Sequence, residues 1–325
     1  MDLRNVGQSG LRVSAIGLGC NNFGRPLDLA ASRAVIHKAL DLGITFFDCG
    51  DVYGRRGGAE TILGEVLGER RKDIVLVTKF GRPMDAEGKL KGASRRYIMT
   101  AVEASLKRLK SDWIDLYQYH LVDPLTPVEE TLRALDDLVH QGKVRYIGCS
   151  HMPAWQVVDS LWTSRSCNLA RFIACEDEYN LISRGIEDEL IPAMTQHGLG
   201  LLPYYPLASG LLTGKYKRGA PIPPDSRFVT ITDRNYAREF MTDANMTRVE
   251  TLTAFAQQRG TTLLDIAMSW IASRPLVASV IAGATKPAQV EANVKAAAFK
   301  LSAEDLAELD KLTAQALIAH LPAAV

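Results

Sequence analysis

The chain lacks the features that would send it to a membrane, a nucleic acid or a metal. No apolar stretch of its 325 residues approaches the roughly 20 needed to cross a bilayer. The opening MDLRNVGQSG has no apolar core of the kind a secretory signal carries, so a soluble, cytoplasmic protein is expected. With 38 Lys and Arg against 37 Asp and Glu the formal charge is only +1, which excludes a broad field for nucleic acid or anionic lipid and leaves anion binding to local arrangements. Cysteine is scarce: Cys20, Cys49, Cys149, Cys167 and Cys175 are odd in number and never spaced C-x-x-C, arguing against a disulfide framework and a zinc knuckle. Reduced thiols are expected. There is no H-x-x-x-H and no clustered His/Asp/Glu set, so no metal is expected either. The Gly-Leu-Gly at 17–19 is half a dinucleotide fingerprint without its third glycine, and the sequon Asn245-Met246-Thr247 is expected to be silent in a cytosolic setting.

What is present is a regular alternation. Eight short runs rich in Val, Ile, Leu and aromatics occupy residues 14–19, 44–48, 74–79, 114–120, 144–150, 172–179, 200–206 and 279–284. They are apolar throughout rather than alternating, as strands covered on both faces should be. Between them lie stretches such as ASRAVIHKALDLG and RRYIMTAVEASLKRLK, with apolar residues at three- and four-residue spacing, and glycines such as Gly43 and Gly142 mark helix ends. Eight βα units imply right-handed crossovers and a parallel sheet closed on itself: an α/β fold, a (β/α)8 TIM barrel. At 47% hydrophobic residues the chain can bury one large core, so a single domain over 1–325 is expected.

Three segments are additions to a plain barrel. The opening LRNVGQSGLRVS, two short runs around Gly7 and Gly10, reads as an N-terminal β-hairpin plugging one barrel end. Residues 207–245, rich in Gly, Pro, Lys and Arg, form a long connection after the seventh strand, a length usual for a functional lid. Extra helices are expected at LTAFAQQRG and LLDIAMSWIASRP before strand 8, and at the C-terminus in SAEDLAELDKLTAQ, begun by a Ser302 cap with Asp305 in its first turn.

Four polar residues stand just past successive apolar runs: Asp48, Tyr53, Lys79 and His120. In an eight-fold barrel the catalytic groups come from the carboxyl ends of several strands, so these four would meet at one face. Singly, each has an ordinary structural reading as a packed tyrosine, a buried ion pair or a core histidine. Together they suit acid-assisted hydride transfer. A ketone accepts hydride poorly unless its oxygen is protonated or strongly hydrogen-bonded as charge develops. A phenol with a free pKa near 10 is a sluggish acid, and an adjacent ammonium such as Lys79 would lower it, with Asp48 holding that ammonium in place. His120 would supply a second hydrogen bond to the substrate oxygen. A barrel aldolase or isomerase with Lys79 as Schiff-base nucleophile is a competing reading.

The run LGITFFDCGDVYG (42–54) followed by Glu60, with Lys79, His120, Gly148–Ser150, Tyr179-Asn180 and GLLTGKY (210–216), resembles the aldo-keto reductase superfamily from end to end. The resemblance implies that Tyr53 is the general acid, Lys79 and Asp48 its tuning pair and His120 the group orienting the carbonyl of an aldehyde or ketone, reduced reversibly to the alcohol. It implies a nicotinamide cofactor bound without a Rossmann fold. An alternative within the same resemblance is a nucleotide-binding sensor or regulatory subunit with little turnover, like potassium-channel β subunits, although no extra amino-terminal segment speaks for that role.

Barrels of this kind often hold phosphate after strands seven and eight, at a helix amino end. GATKPAQVEAN (283–293) places Thr285 and Lys286 before Pro287, a residue favoured at the first helical position. The resemblance makes Gly283, Thr285, Lys286, Gln289 and Asn293 candidates for the adenosine phosphate, and Lys286 suggests a 2′-phosphate, hence NADPH/NADP+ rather than NADH. Leu207, Gly210, Leu211, Thr213 and Lys215 would cover the pyrophosphate, Tyr204 would stack on nicotinamide, and Ser150, His151 and Glu176 would meet its carboxamide. His151, Glu176 and Tyr205 replace the asparagine, glutamine and serine usual at these places, and a carboxylate can accept from an amide NH2 but cannot donate to its oxygen unless protonated. Phe23, Trp155 and the stretch from Phe228 to Phe240 are candidates for the substrate walls. The partner expected is a small carbonyl compound, with no nucleic acid or membrane, acting on a monomer or small homo-oligomer.

Overall fold

The computed structural model describes residues 1–224, 226–230 and 240–314. Eight strands follow in chain order: β3 (Ile16–Gly19), β4 (Phe46–Asp48), β5 (Val75–Phe80), β6 (Ile114–Tyr119), β7 (Val144–Ser150), β8 (Phe172–Glu176), β9 (Gly200–Leu201) and β10 (Val280–Gly283). All pair in parallel, in the order β10-β3-β4-β5-β6-β7-β8-β9. The ends of this row also meet. Leu201 N–H donates to Leu276 O (2.8 Å), Ala278 N–H to Leu201 O (2.9 Å) and Ile281 N–H to Pro203 O (3.0 Å), so the sheet closes between β9 and β10 and the chain is a (β/α)8 barrel.

The apolar character of the strands follows from this closure. One face of each strand fills the lumen, with Phe46, Val77, Leu116, Ala174, Leu202, Ala278 and Ile281 in one cluster. The other face, including Leu18, Phe47, Leu76, Tyr117, Ile147 and Cys175, packs under the ring of helices. Each Val, Leu, Ile or Phe among them contributes about 1.5–3 kcal/mol relative to exposure. Neither face sees water, so a period of two would have no meaning and none is seen.

The hairpin at the amino terminus is β1 (Leu3–Asn5) paired antiparallel with β2 (Arg12–Ser14). Its Val6, Leu11 and Val13 join the lumen cluster, and Ser14 exchanges hydrogen bonds with Thr45, just before β4. It therefore plugs the end at which the strands begin, leaving the opposite end open. The seal depends on Gly7: at φ +56° a Cβ there would lie 2.4 Å from Gly198 O and 2.6 Å from Gly200 N. Only a residue without a side chain lets the two backbones approach so closely.

The helical periodicity yields helices at Leu29–Asp41 and Arg95–Leu109, the latter capped by the Ser94 hydroxyl, which accepts from Tyr97 N–H. Gly43 and Gly142, at φ +77° and +73°, follow helix ends. The added helices are Asp243–Gln258 and Leu263–Ala272 before β10, and Ala303–Thr313 at the carboxyl-terminal end of the described residues. Ser302 and Asp305 form the reciprocal cap anticipated for the last of these. Two strands stop three or more residues short of the carboxyl ends of their apolar runs. β8 stops at Glu176, and β9 covers only Gly200–Leu201 because Pro203 and Pro206 have no N–H to give a ladder, although isolated pairing resumes at Glu178 and Tyr204. In the 207–245 connection, Ala208–Thr213 forms a tight helical turn and Arg227–Thr230 a short helix, while residues 225 and 231–239 lie outside the described residues. Among the described residues no helix is long and apolar enough to cross a membrane.

Candidate active site

Asp48 closes β4, Lys79 is the penultimate residue of β5, His120 directly follows β6, and all three project at the open end of the barrel. Tyr53 is placed differently. It opens the helical segment Tyr53–Val66, whose next four residues, Gly54, Arg55, Arg56 and Gly57, all have positive φ. This left-handed turn sends the phenol back over the strand ends. A Cβ on Gly50 would sit 3.3 Å from the Tyr53 ring, so the bare backbone there leaves room for the ring.

The Lys79 ammonium is fully buried and is the hub of the site. It pairs closely with Asp48 Oδ1 and donates to Cys49 O at 2.9 Å; Glu176 Oε1 lies 3.2 Å away and the Tyr53 hydroxyl 3.3 Å away. His120 stands edge-on to Tyr53, with ring centroids 5.9 Å apart at 86°. The four residues singled out in the sequence thus converge. Glu176, expected to meet a nicotinamide carboxamide, also joins the Lys79 ion pair through Oε1.

Two carboxyl groups around one ammonium cannot both ionise cheaply. Burial raises Glu176 well above the usual carboxylate range, with the neighbouring Asp48 adding to the rise and Lys79 opposing it. Asp48 is raised less: burial lifts it, while Lys79 and a hydrogen bond from Glu176 pull it down. The pair therefore shares a proton held mainly on Glu176, which donates to Asp48. Burial works against the Lys79 charge, but Asp48, Glu176 and Tyr53 outweigh it and raise its pKa. Tyr53 is raised rather than lowered, because burial and the two carboxyl groups exceed the pull of Lys79. The expected depression of the phenol pKa is corrected accordingly: the phenol stays protonated, and Lys79 limits the rise. His120 is pushed well below the usual imidazole range, first by burial and then by Lys79, Arg82 and His151. It is neutral, and its Nδ1 is buried without a partner.

A second hydrogen-bonded chain supports the far wall. Ser150 Oγ lies 2.8 Å from Glu176 O and 2.7 Å from His151 Nδ1. A carbonyl can only accept, so the one hydroxyl hydrogen goes to Glu176 O and His151 must donate from Nδ1. Its Nε2 then accepts from the Tyr204 hydroxyl at 3.0 Å. Burial and Arg82 lower His151 to about 4, so this tautomer is neutral at physiological pH.

Above these groups opens a cavity of about 750 Å³. Of the sequence candidates, Asp48, Tyr53, His120, His151, Glu176, Tyr204, Leu207, Gly210, Thr213, Lys215, Gly283, Thr285, Gln289 and Asn293 line it. Lys79 and Ser150 lie just beneath the wall. Leu211 is wholly buried in the outer core, and Lys286 caps the helix Pro287–Ala297 outside the lining. Phe23 and Trp155 do not reach the cavity. Phe23 is wholly buried in the core and Trp155 is 65% exposed on the outer helix Ala154–Ser166. Phe228 packs against Tyr216, and its neighbour Arg227 reaches the cavity instead. Sequence reasoning passed over Asn21, Asn22, Arg82, Glu178 and Arg227, all of which line it. Asn21-Asn22 and Arg82 lie within three residues of the ends of β3 and β5, a placement that loop residues of any barrel share and that alone does not single them out.

The residues present fit a nicotinamide dinucleotide. Glu176 Oε2 is buried without a hydrogen-bond partner at the floor, where a carboxamide can use it. At the other side, the helix Pro287–Ala297 starts with proline at its first position, and Thr285 N–H and Oγ1 both donate to Gln289 Oε1, at 2.7 and 3.1 Å, marking donors that a phosphate oxygen can take over. Gly283 and Gly210 keep the backbone accessible beside Asn22 and Lys215.

The family model described as "Aldo/keto reductase family" matches residues 15–314. A protein of Arabidopsis thaliana named as a probable voltage-gated potassium channel subunit beta is 40% identical over 303 residues, covering 91% of each chain. The L-glyceraldehyde 3-phosphate reductase of Escherichia coli K12 is 36% identical over 321 residues, covering 96% of this chain and 92% of the relative. An uncharacterized oxidoreductase of Bacillus subtilis is 31% identical over 322 residues, with 96% of both chains covered.

Proposed function

The chain belongs to the aldo/keto reductase family, and on that premise we propose that it is an oxidoreductase that reduces an aldehyde or ketone to the alcohol with NADPH, Tyr53 being the general acid. The observation that carries the reading is the Lys79 ammonium, held by Asp48 and 3.3 Å from the Tyr53 hydroxyl, at the floor of a large cavity beside a neutral His120.

Reduced nicotinamide, when bound, supplies the hydride. Tyr53 remains protonated because its surroundings raise its pKa, so the proton is available whenever substrate arrives. It passes to the carbonyl oxygen as that oxygen gains charge. The phenolate left behind is stabilised by Lys79, whose own charge is fixed by Asp48 and the partly protonated Glu176. His120, being neutral, carries a single ring N–H to direct at the same oxygen, and it does not compete for the proton. In the oxidative direction the same groups run in reverse. Glu176 Oε2, which has no hydrogen-bond partner, can accept from a carboxamide NH2, while the proton of the carboxyl is engaged with Asp48.

Lys215, Lys286, Arg227 and the amino end of Pro287–Ala297 support the choice of NADPH over NADH. The activity for which the Escherichia coli relative is named supports reduction of a small aldehyde. The name of the Arabidopsis relative supports a second reading, a nucleotide-binding regulatory subunit with little turnover. Loss of reduced-cofactor absorbance with a panel of aldehydes and ketones separates the two. The reductase reading expects turnover in the native protein and a fall of at least about 1,000-fold in Tyr53→Phe, with NADPH affinity within about twofold. Tight NADPH binding with no oxidation by any carbonyl favours the regulatory reading.

A further inference from the structure

We propose that Arg82 is the anion-binding residue of the substrate site, and that the carbonyl compound reduced here carries a carboxylate or phosphate group. The inference rests on the reductase reading and deepens it. Arg82 lies three residues beyond Lys79, past the end of β5, where Gly81 at φ +116° turns the chain and Gly92 N–H closes the excursion on Gly81 O at 2.9 Å. It is half-buried in the cavity wall with His120 and His151, which follow β6 and β7.

Arg82 contrasts with most of the half-buried arginines: Arg4 donates to Ala272 O and Val277 O, and Arg248 to Asn245 Oδ1. Arg71, Arg108, Arg184, Arg259 and Arg274 are buried or half-buried, and each is paired with a carboxylate at 3.0 Å or closer. Among the described residues Arg82 has no such partner, and its Nε is buried without a hydrogen bond. Withdrawing a guanidinium from water without a counter-charge is costly unless a ligand supplies one. The acids of the cavity are committed elsewhere: Asp48 and Glu176 to Lys79, and Glu178 to the Ser183 hydroxyl at 2.8 Å. The positive charge of Arg82 also contributes to keeping His120 and His151 neutral, so they offer no competing cation.

The barrel topology says which ligand brings the anion. In the closed ring β10-β3-β4-β5-β6-β7-β8-β9, the β5 to β7 side faces β9 and β10 across the mouth. Lys215 and Arg227 enter after β9, and Thr285 and Gln289 after β10, on the side suited to cofactor phosphates. Arg82 enters from the opposite side, in the wall it shares with His120 and His151. A guanidinium there holds an anion bidentately on the substrate and fixes the distance from anion to carbonyl.

Matched pairs test this: 4-oxobutanoate against butanal, and glyceraldehyde 3-phosphate against glyceraldehyde. The native protein is expected to favour the charged member of one pair by at least about tenfold in kcat/KM, and the pair that responds identifies carboxylate or phosphate. Arg82→Gln should lower kcat/KM for that member by about 30- to 100-fold, mainly through KM, and change the neutral member by less than about threefold, while Arg82→Lys recovers part of the loss. An equal loss on both members, or a native preference for the neutral ones, overturns the proposal. Calorimetry of 4-hydroxybutanoate and glycerol 3-phosphate binding to the protein loaded with NADPH, a pairing of alcohol with reduced cofactor that has no hydride acceptor, reads the contact without turnover. Weaker binding in Arg82→Gln with no turnover in any protein upholds the anion site and sinks the reductase reading. Identical binding in both proteins sinks the anion site.

Discussion

Asp51 sits two residues before the proposed acid, is 1% exposed and meets no hydrogen-bonding side chain. Burial, then the charge of Glu60, raises it from near 4 to about 8, against the pull of Arg108. A carboxyl raised in the folded state contributes stability that is fully present below its unfolded pKa and lost as pH rises through the folded one. The native protein is therefore penalised increasingly between pH 4 and 8. Asp51→Asn, which cannot ionise, should match the native melting temperature near pH 4 and exceed it above pH 8 by the equivalent of at least about 1 kcal/mol. A difference independent of pH would contradict this. Asp48, Tyr53, Lys79 and His120 are legible in the sequence because strand ends of a barrel converge. The sign of the Tyr53 shift is not legible there, since it depends on how deeply the phenol is buried and on a second carboxyl, Glu176, brought from a strand about 120 residues further on. Arg82 escapes notice for a related reason: a lone arginine in a loop is distinguished only by the counter-charge it lacks, and that is a three-dimensional property.

The elements show the same division between local and distant information. The strands of β3 to β7, the helices at their caps and the amino-terminal hairpin can be read from runs and spacing, because short-range packing produces those patterns. The end of β9 cannot. Its apolar run continues to Pro206, yet pairing depends on N–H groups that Pro203 and Pro206 do not have. Nor do Phe23 and Trp155 reveal that one is core and the other surface. The hairpin carries a test of its own. Gly7→Ala places a Cβ within 2.6 Å of two backbone atoms and forces a left-handed residue to carry a side chain. It should destabilise the barrel by about 2–4 kcal/mol in denaturant unfolding and leave the active-site groups, at the other end, unchanged in NADPH affinity per folded molecule. A loss below about 0.5 kcal/mol would show that the hairpin does not seal the barrel.

For the molecule as a whole, the closed ring does two things for the chemistry. It brings Tyr53, Lys79 and His120 from three neighbouring units to one floor, and it sets the proposed cofactor side, after β9 and β10, against the proposed substrate side, after β5 to β7. The near-zero net charge adds no general attraction for anions, so recognition falls to a few placed cations, Lys215, Arg227 and Arg82 among them. These features converge on hydride transfer across the mouth of the barrel. The decisive measurement is transfer of deuterium from C4-deuterated NADPH to a carbonyl substrate, read by mass spectrometry of the alcohol. One deuterium is expected on the carbinol carbon with the native protein, and almost none over the same time with Tyr53→Phe. Alcohol formed without deuterium from either C4 position, or labelled alcohol formed equally well by Tyr53→Phe, would contradict the mechanism.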